Sequence, residues 1–89
     1  MLERELIISN GLGLHARATA KLVQTLAPFR CNVTMAAKGR EINAKSIMGV
    51  MMLAAGYGVE LEVETDGPRE QEAMDALLAL IADKFGEGE

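Results

Sequence analysis

The residues best suited to chemistry surround the one histidine of this chain, His15. The segment Gly13-Leu14-His15-Ala16-Arg17 stands where a loop gives way to a helix pattern, and a second glycine at position 11 loosens the approach. Amide groups at the start of a helix lack helical partners, and the positive helix end stabilises an anion by about 0.3 to 1 kcal/mol. Arg17 adds a guanidinium that can hold two anionic oxygens. The pattern predicts a phosphate-like anion at His15, cradled by the backbone of Ala16 and Arg17.

The imidazole of His15 is itself a candidate reactive group. A positive helix end disfavours the imidazolium form, so we expect a neutral ring whose nitrogen lone pair can act as a nucleophile. A lone histidine in this position can also be a helix cap or an ordinary surface residue, and position alone leaves both interpretations open. The chain carries no Ser/His/Asp set, no paired carboxylates and no Walker-type loop. It is therefore predicted to lack the full apparatus of an enzyme.

Cysteine and histidine usage argues against a metal or redox site. Cys31 is the single cysteine, so it cannot form an internal disulfide, and with one histidine it cannot complete a usual zinc site. Cys31 alternates with polar neighbours on a predicted strand, so we expect it to be a buried core residue without a reactive role. We expect no metal and no cofactor.

Hydrophobic spacing and turn residues predict four strands and three helices in the order βαββαβα. In the clearest strand, apolar residues from Val59 to Thr65 alternate with three glutamates, which requires a sheet with one face on the core and one in water. In the last helix, Ala73, Leu77, Ile81 and Phe85 form one face. The predicted strands are 2–8, 31–37, 40–43 and 59–65; the predicted helices begin at Ala16, after Ser46 and after Pro68, and are stopped by Pro28, Gly56 and Gly86.

The element order indicates one sheet arrangement. Helical crossovers favour parallel flanking strands, whereas the turn at Lys38-Gly39 makes strands two and three an antiparallel hairpin. Placing strand four between strands one and two satisfies both rules. The prediction is an α+β, two-layer open-faced sandwich with a four-stranded antiparallel sheet in the order 1-4-2-3, covered on one face by three helices, as a single domain over residues 1–89.

Length, composition and charge exclude several classes of protein. The 89 residues are 49% hydrophobic and 25% charged, enough apolar surface for one core. No apolar stretch approaches the roughly 20 residues of a membrane helix, and Glu3, Arg4 and Glu5 stand where a secretion signal would be apolar. A cytoplasmic protein without membrane insertion is expected. A net charge of -4 and three aromatic residues argue against a nucleic-acid partner.

The charge is unevenly distributed along the chain. Residues 1–58 hold seven Lys or Arg against three Glu, net +4, while residues 59–89 hold two against ten acids, net -8. The first part of the chain can therefore attract an acidic protein partner although the whole molecule is acidic.

The sequence resembles the HPr family, the histidine-containing phosphocarriers of the phosphoenolpyruvate-dependent sugar phosphotransferase system. The resemblance covers the whole chain and rests on two motifs, Gly13-Leu14-His15-Ala16-Arg17 and Lys45-Ser46-Ile47-Met48-Gly49. It implies that Nδ1 of His15 accepts a phosphoryl group from enzyme I and passes it to a IIA protein or domain, with Arg17 and nearby amides holding the phosphate. One departure is Ala18, where the family usually has proline. Because alanine is the best helix former, we expect slight loosening that affects the rate of transfer.

The resemblance also implies a regulatory serine and a docking surface. Ser46 is a predicted N-cap, and a phosphate there adds about -1.5 to -2 charges that repel an acidic partner while the helix tolerates them. An HPr kinase/phosphorylase is then a further partner. The short helix after Ser46 cannot bury every side. We therefore expect its apolar residues to form a partner-docking surface surrounded by basic residues. The predicted docking residues are Ala16, Ala20, Lys21, Lys45, Ile47, Met48 and Met51.

Alternatives remain at the level of function. A paralogue of the nitrogen-related regulatory branch would carry the same phosphohistidine, and a non-carrier interaction module would use His15 as a cap alone. A monomer is expected, because all three helices are needed to cover the sheet.

Overall fold

The computed structural model describes residues 1–8, 13–53, 56 and 58–86. Its elements follow the predicted order βαββαβα, with one additional 3₁₀ turn at Lys84–Gly86. They are β1 (Leu2–Ile7), α1 (Ala16–Leu26), β2 (Asn32–Ala37), β3 (Arg40–Asn43), α2 (Ile47–Leu53), β4 (Glu60–Asp66) and α3 (Glu70–Ala82).

The strands form one antiparallel sheet in the order β1-β4-β2-β3, as predicted. The hairpin between β2 and β3 turns at Lys38 and Gly39, whose φ values of 54° and 76° are both left-handed. Left-handed values at both central residues match the right-handed twist of the flanking strands. This turn keeps the residues of β2 in the register that places Val33 and Met35 in the core.

One face of the sheet, which we call the dry face, packs on the core, and the other, which we call the wet face, is in contact with water. The alternation in β4 predicts this arrangement. Leu61, Val63 and Thr65 are buried beneath the helices. On the wet face the glutamates of β1 and β4 lie directly opposite one another, with Glu3 across from Glu64 and Glu5 across from Glu62. The wet face is therefore strongly acidic, and no helix or strand among the described residues covers it.

The three helices cover the dry face, and α1 packs against both α2 and α3. α1 ends at Leu26 because Pro28 follows, and the N–H of Phe29 then donates to the Leu26 carbonyl at 3.1 Å. The core is built from both layers. Its largest fully buried side chains are Phe85, Ile8, Leu22, Leu26, Met35, Leu61, Met74, Leu77, Val33, Val50 and Val63.

The end of the last helix differs from the prediction. α3 stops at Ala82, and Lys84 and Phe85 adopt left-handed φ values of 52° and 56°, although Phe85 still reaches the core. Two backbone carbonyls beyond the helix accept hydrogen bonds in this turn. The Asp83 carbonyl accepts the N–H of Gly86 at 2.9 Å, and the Phe85 carbonyl accepts the Lys21 ammonium at 2.6 Å. The helix therefore ends about one turn before the predicted stop at Gly86.

No helix within the described ranges is long and apolar enough to span a bilayer. Cys31 is buried, as its alternation predicts.

Candidate functional site

His15 is the N-cap residue of α1. Its backbone is extended, with φ -81° and ψ -179°, and its carbonyl accepts the N–H of Thr19 at 2.8 Å. Its Nδ1 accepts the N–H of Arg17 at 3.3 Å, the role that an Asp or Ser oxygen usually fills at this position. The imidazole is therefore oriented by the helix it caps.

The turn before His15 is fixed by the core. Gly13 has a left-handed φ of 69°, and its carbonyl accepts the N–H of His15 at 3.0 Å. Leu14 is buried, and its carbonyl accepts the hydroxyl of the buried Thr19 at 3.4 Å. Gly11, the second glycine noted in the sequence, lies outside the described residues. These contacts hold His15 at the helix start rather than on a free loop.

The hydrogen bond to Nδ1 defines the chemistry available to the ring. A nitrogen that accepts a backbone N–H carries its lone pair there, so the neutral ring holds its proton on Nε2. The ring is half-buried and retains an accessible side. Capping and reactivity, which the sequence left as alternatives, are compatible in this geometry because capping turns Nδ1 toward the helix amides.

The first amides of α1 are the candidate anion-binding site beside that nitrogen. In an α-helix the amides of Ala16, Arg17 and Ala18 precede the first residue with a helical carbonyl partner, and here that residue is Thr19. The positive helix end and these donors favour a negatively charged group. Ala16 and Arg17 are exposed, whereas Ala18 is fully buried. The exposed Arg17 side chain is the candidate to contact an anion bound there.

An exposed apolar surface lies on α2, next to α1. Ile47 is 50% exposed, Met48 75%, Met51 47% and Met52 59%, while Val50 and Leu53 on the opposite side are buried. The predicted exposure of the first three is confirmed. Met52 is missing from the sequence prediction, although its i, i+4 spacing from Met48 was a usable signal. On α1, Ala16 is exposed and Ala20 half-buried. Together these six residues form what we call the α2 patch: Ala16, Ala20, Ile47, Met48, Met51 and Met52.

The basic residues predicted around this surface are held by backbone carbonyls. The Lys21 ammonium donates to Phe85, and the Lys45 ammonium donates to the carbonyl of Phe29. Arg40, which the sequence did not single out, donates to the carbonyl of Met52 at 2.8 Å and so holds the end of α2. Tertiary contacts therefore anchor these two lysines, whereas the side chain of Arg17, two residues after His15, is exposed.

Ser46 caps α2, as predicted. Its Oγ accepts the N–H of Gly49 at 3.1 Å, and its carbonyl accepts the N–H of Val50 at 3.0 Å. The residue is half-buried. Its hydroxyl therefore lies at the start of the helix that carries most of the α2 patch.

Other candidate centres lie away from His15. Two surface grooves run along the wet face of the sheet, where Glu5, Ala36 and Glu62 line both. Within the part of the chain that the structure describes, no three His, Cys, Asp or Glu side chains are grouped to hold a metal ion. The helix start at His15 is the best candidate site.

Comparison with known proteins agrees with this geometry. The sequence profile described as "PTS HPr component phosphorylation site" matches residues 2–83. The chain is 65% identical to the phosphocarrier protein HPr of Cupriavidus necator, over 100% of both chains.

Two solved structures from Thermoanaerobacter tengcongensis share the fold. A crystal structure of HPr superposes with a TM-score of 0.94 at 41% identity, covering 98% of each chain. A crystal structure of an HPr dimer superposes with a TM-score of 0.79 at 41% identity, covering 98% of this chain and 100% of that one. The resemblance indicated by the two sequence motifs is thus confirmed: the chain belongs to the HPr family.

Proposed function

We propose that this chain is a phosphocarrier that accepts a phosphoryl group on Nδ1 of His15 from phosphorylated enzyme I and passes it to a IIA protein or domain of the phosphotransferase system. The observation that carries the proposal is the position of Nδ1, which lies 3.3 Å from the Arg17 amide at the positive end of α1. A ring nitrogen that can act as a nucleophile and the first amides of α1 meet at this position.

The transfer follows from these contacts. The Nδ1 lone pair attacks the phosphorus in line, the bond from phosphorus to the donor's nitrogen breaks, and that electron pair returns to the donor. The Arg17 N–H, which holds Nδ1 before transfer, becomes available to a phosphoryl oxygen afterwards. The exposed Arg17 guanidinium balances the new charge. Transfer to a IIA acceptor reverses the roles of donor and acceptor.

The chain itself needs no further reactive group for this step. His15 is converted to phosphohistidine and returned unchanged, so the protein is a stoichiometric carrier and a substrate of the transferases on either side. No cofactor of its own enters the reaction, and any magnesium requirement belongs to the enzyme that uses phosphoenolpyruvate.

Phosphorylation is tested with purified enzyme I and labelled phosphoenolpyruvate. We expect acid-labile, alkali-stable label on the wild-type chain and none on His15→Ala or His15→Asn. The Asn variant is the matched control, because its side-chain oxygen can still cap α1. Absence of label on the folded wild type would reject the carrier function in favour of an interaction module. Transfer from the labelled chain to alternative IIA proteins then separates a sugar-transport carrier from a regulatory paralogue.

The α2 patch is the proposed docking surface for both partners. A cluster of large apolar side chains this exposed is uncommon on a monomer, and this one lies on α2, which packs against the helix that begins at His15. We expect Met48→Glu to raise the KM of enzyme I for the chain at least fivefold, as for a central interface residue. Ile7→Glu is the matched control: Ile7 is 56% exposed, and it lies on the wet face opposite Glu60. Equal effects of both variants would argue against this surface.

Ser46 is the proposed site of regulatory phosphorylation by an HPr kinase/phosphorylase. The support is its cap geometry, since a phosphate on Oγ would place negative charge at a helix start and beside Ile47 of the α2 patch. The test is incubation with such a kinase and ATP, with Ser46→Ala as the unmodifiable control. Modification elsewhere in the chain would overturn this assignment.

We further propose that the carrier acts as a monomer in the cytoplasm. The charged edge strands support this, because Glu3, Arg4 and Glu5 of β1 are all exposed. Light scattering should give a mass near 9.5 kDa at micromolar concentration. A mass near twice that value would instead indicate a dimer.

A further inference from the structure

The methionines of this chain fall into two groups by exposure. Of the six, Met35 and Met74 are fully buried in the core, whereas Met48, Met51 and Met52 are exposed within five consecutive residues of α2. The spacing of three and four residues places these three on one side of a seven-residue helix. The most accessible thioethers, apart from Met1, are therefore concentrated in the α2 patch.

We propose that Met48, Met51 and Met52 are sites of reversible oxidation to methionine sulfoxide, and that this oxidation weakens docking at the α2 patch. The inference rests on the proposed carrier function. The oxidant is hydrogen peroxide: a lone pair of Sδ attacks one peroxide oxygen, the O–O bond breaks, and the leaving hydroxide takes the proton of the transferred oxygen and departs as water. Sulfur loses two electrons, the peroxide gains them, and sulfoxide reductases reverse the change.

The structure directs this reaction to the α2 patch and away from the core. Susceptibility of sulfur to oxidants follows exposure, so Met35 and Met74 are protected by burial. Cys31, the other sulfur-bearing core residue, is also buried. A mild peroxide treatment should therefore modify the surface while the fold persists.

Oxidation changes how the α2 patch binds. A thioether is apolar, polarisable and able to adapt to different partner surfaces, which suits a carrier that must fit two partners in turn. A sulfoxide is a strong hydrogen-bond acceptor that must lose its water on docking, and an apolar partner surface offers it no donor. The kcat/KM of enzyme I for the chain should fall about tenfold, whereas the chemistry at Nδ1 is untouched.

The experiment compares two proteins, each before and after hydrogen peroxide. One is the wild type and the other is M48L/M51L/M52L, which keeps apolar side chains but has no exposed sulfur on α2. Peptide mass spectrometry should find added oxygen on Met48, Met51 and Met52 and none on Met35 or Met74. The treated wild type should accept phosphate from enzyme I about tenfold more slowly at subsaturating concentration, and the sulfoxide reductases MsrA and MsrB together should restore the rate.

The ratio of treated to untreated rate decides the result for each protein. It should stay near one for the leucine variant whatever its own starting rate, which also controls for oxidation of Met1. An unchanged ratio in the oxidised wild type, or an equal loss in the leucine variant, would overturn the proposal. Failure of the carrier function gives a different result, since the untreated wild type would then take no phosphate.

Discussion

Replacing the cap of α2 tests whether one side chain both stabilises the helix and controls docking. Ser46 Oγ accepts the Gly49 N–H at 3.1 Å, and both residues are half-buried, so water can only partly replace the lost bond in Ser46→Ala. Loss of such a cap costs about 1 kcal/mol, within a range of about 0.5 to 2. For a domain of this size, that loss lowers the Tm by about 4 to 8 °C.

Ser46→Asp is the matched variant. Its carboxylate can accept the same N–H, and negative charge at a helix start contributes about 0.3 to 1 kcal/mol of stability. We expect its free energy of unfolding to lie within about 0.5 kcal/mol of the wild type. Urea denaturation followed by circular dichroism measures the free energy of unfolding of the wild type, Ser46→Ala and Ser46→Asp. Equal m-values would verify that the three unfolding transitions are comparable.

The same pair of variants separates stability from docking. Although it is the more stable of the two, Ser46→Asp should raise the KM of enzyme I more than Ser46→Ala does, because its charge opposes an acidic partner. The difference should shrink at high salt, since exposed charges are screened. A Ser46→Ala variant as stable as the wild type would show that the side chain does not stabilise the helix, and an Asp variant as unstable as Ala would show that a carboxylate does not replace the hydroxyl as a cap. A KM effect independent of salt would show that charge repulsion is not the cause.

Three further predictions concern stability, measured by denaturant unfolding. Phe85→Ala should lower the free energy of unfolding by about 3 to 5 kcal/mol, because it leaves a cavity in the core. Phe85→Leu keeps most of the side-chain volume and should lower it clearly less. Equal losses would indicate that the left-handed backbone at this position, and not the lost volume, is the cause. Lys38→Asn should stabilise the hairpin by up to about 1 kcal/mol, because asparagine tolerates the left-handed φ of 54° better than lysine; no gain would show that Lys38 is unstrained. The Met1 amino group, at 2.6 Å, and the Gly67 N–H lower the pKa of Glu70, so its contribution is present at neutral pH and lost as pH falls through the folded-state value. Glu70→Gln should therefore lower stability at pH 7 and much less at pH 3, and an equal loss at both values would exclude the ion pair as the cause.

The fold could be predicted from local patterns because its elements are strongly marked. Alternation in β4, the turn at Lys38-Gly39 and the proline after α1 depend on neighbours in sequence, and each has one physical interpretation. The helical face of α3 was also assigned correctly as far as Ile81. Its end was not, because the left-handed turn at Phe85 is coupled to a contact with Lys21, 64 residues away.

The candidate site was predicted in part. His15 and its helix amides follow from residue type and position, since a helix start has unpaired donors wherever it occurs. The exposure of the α2 helix follows from its composition, but which side turns outward depends on packing against α1. The hydrogen-bond partners of Lys21, Lys45 and Arg40 could not be predicted from the sequence. A long basic side chain can reach many backbone carbonyls, and the tertiary fold decides which of them lie nearby.

The acidic wet face has a consequence for how fast partners find this protein. Glutamates that lie opposite one another across β1 and β4 oppose folding slightly, because like charges directly across a pair of strands are destabilising. They also make the wet face negative, while the exposed Arg17 places a positive charge at the start of α1, so an acidic partner is repelled from the first and attracted to the second. Encounters in the wrong orientation are repelled early, and added salt should slow association more than it speeds release.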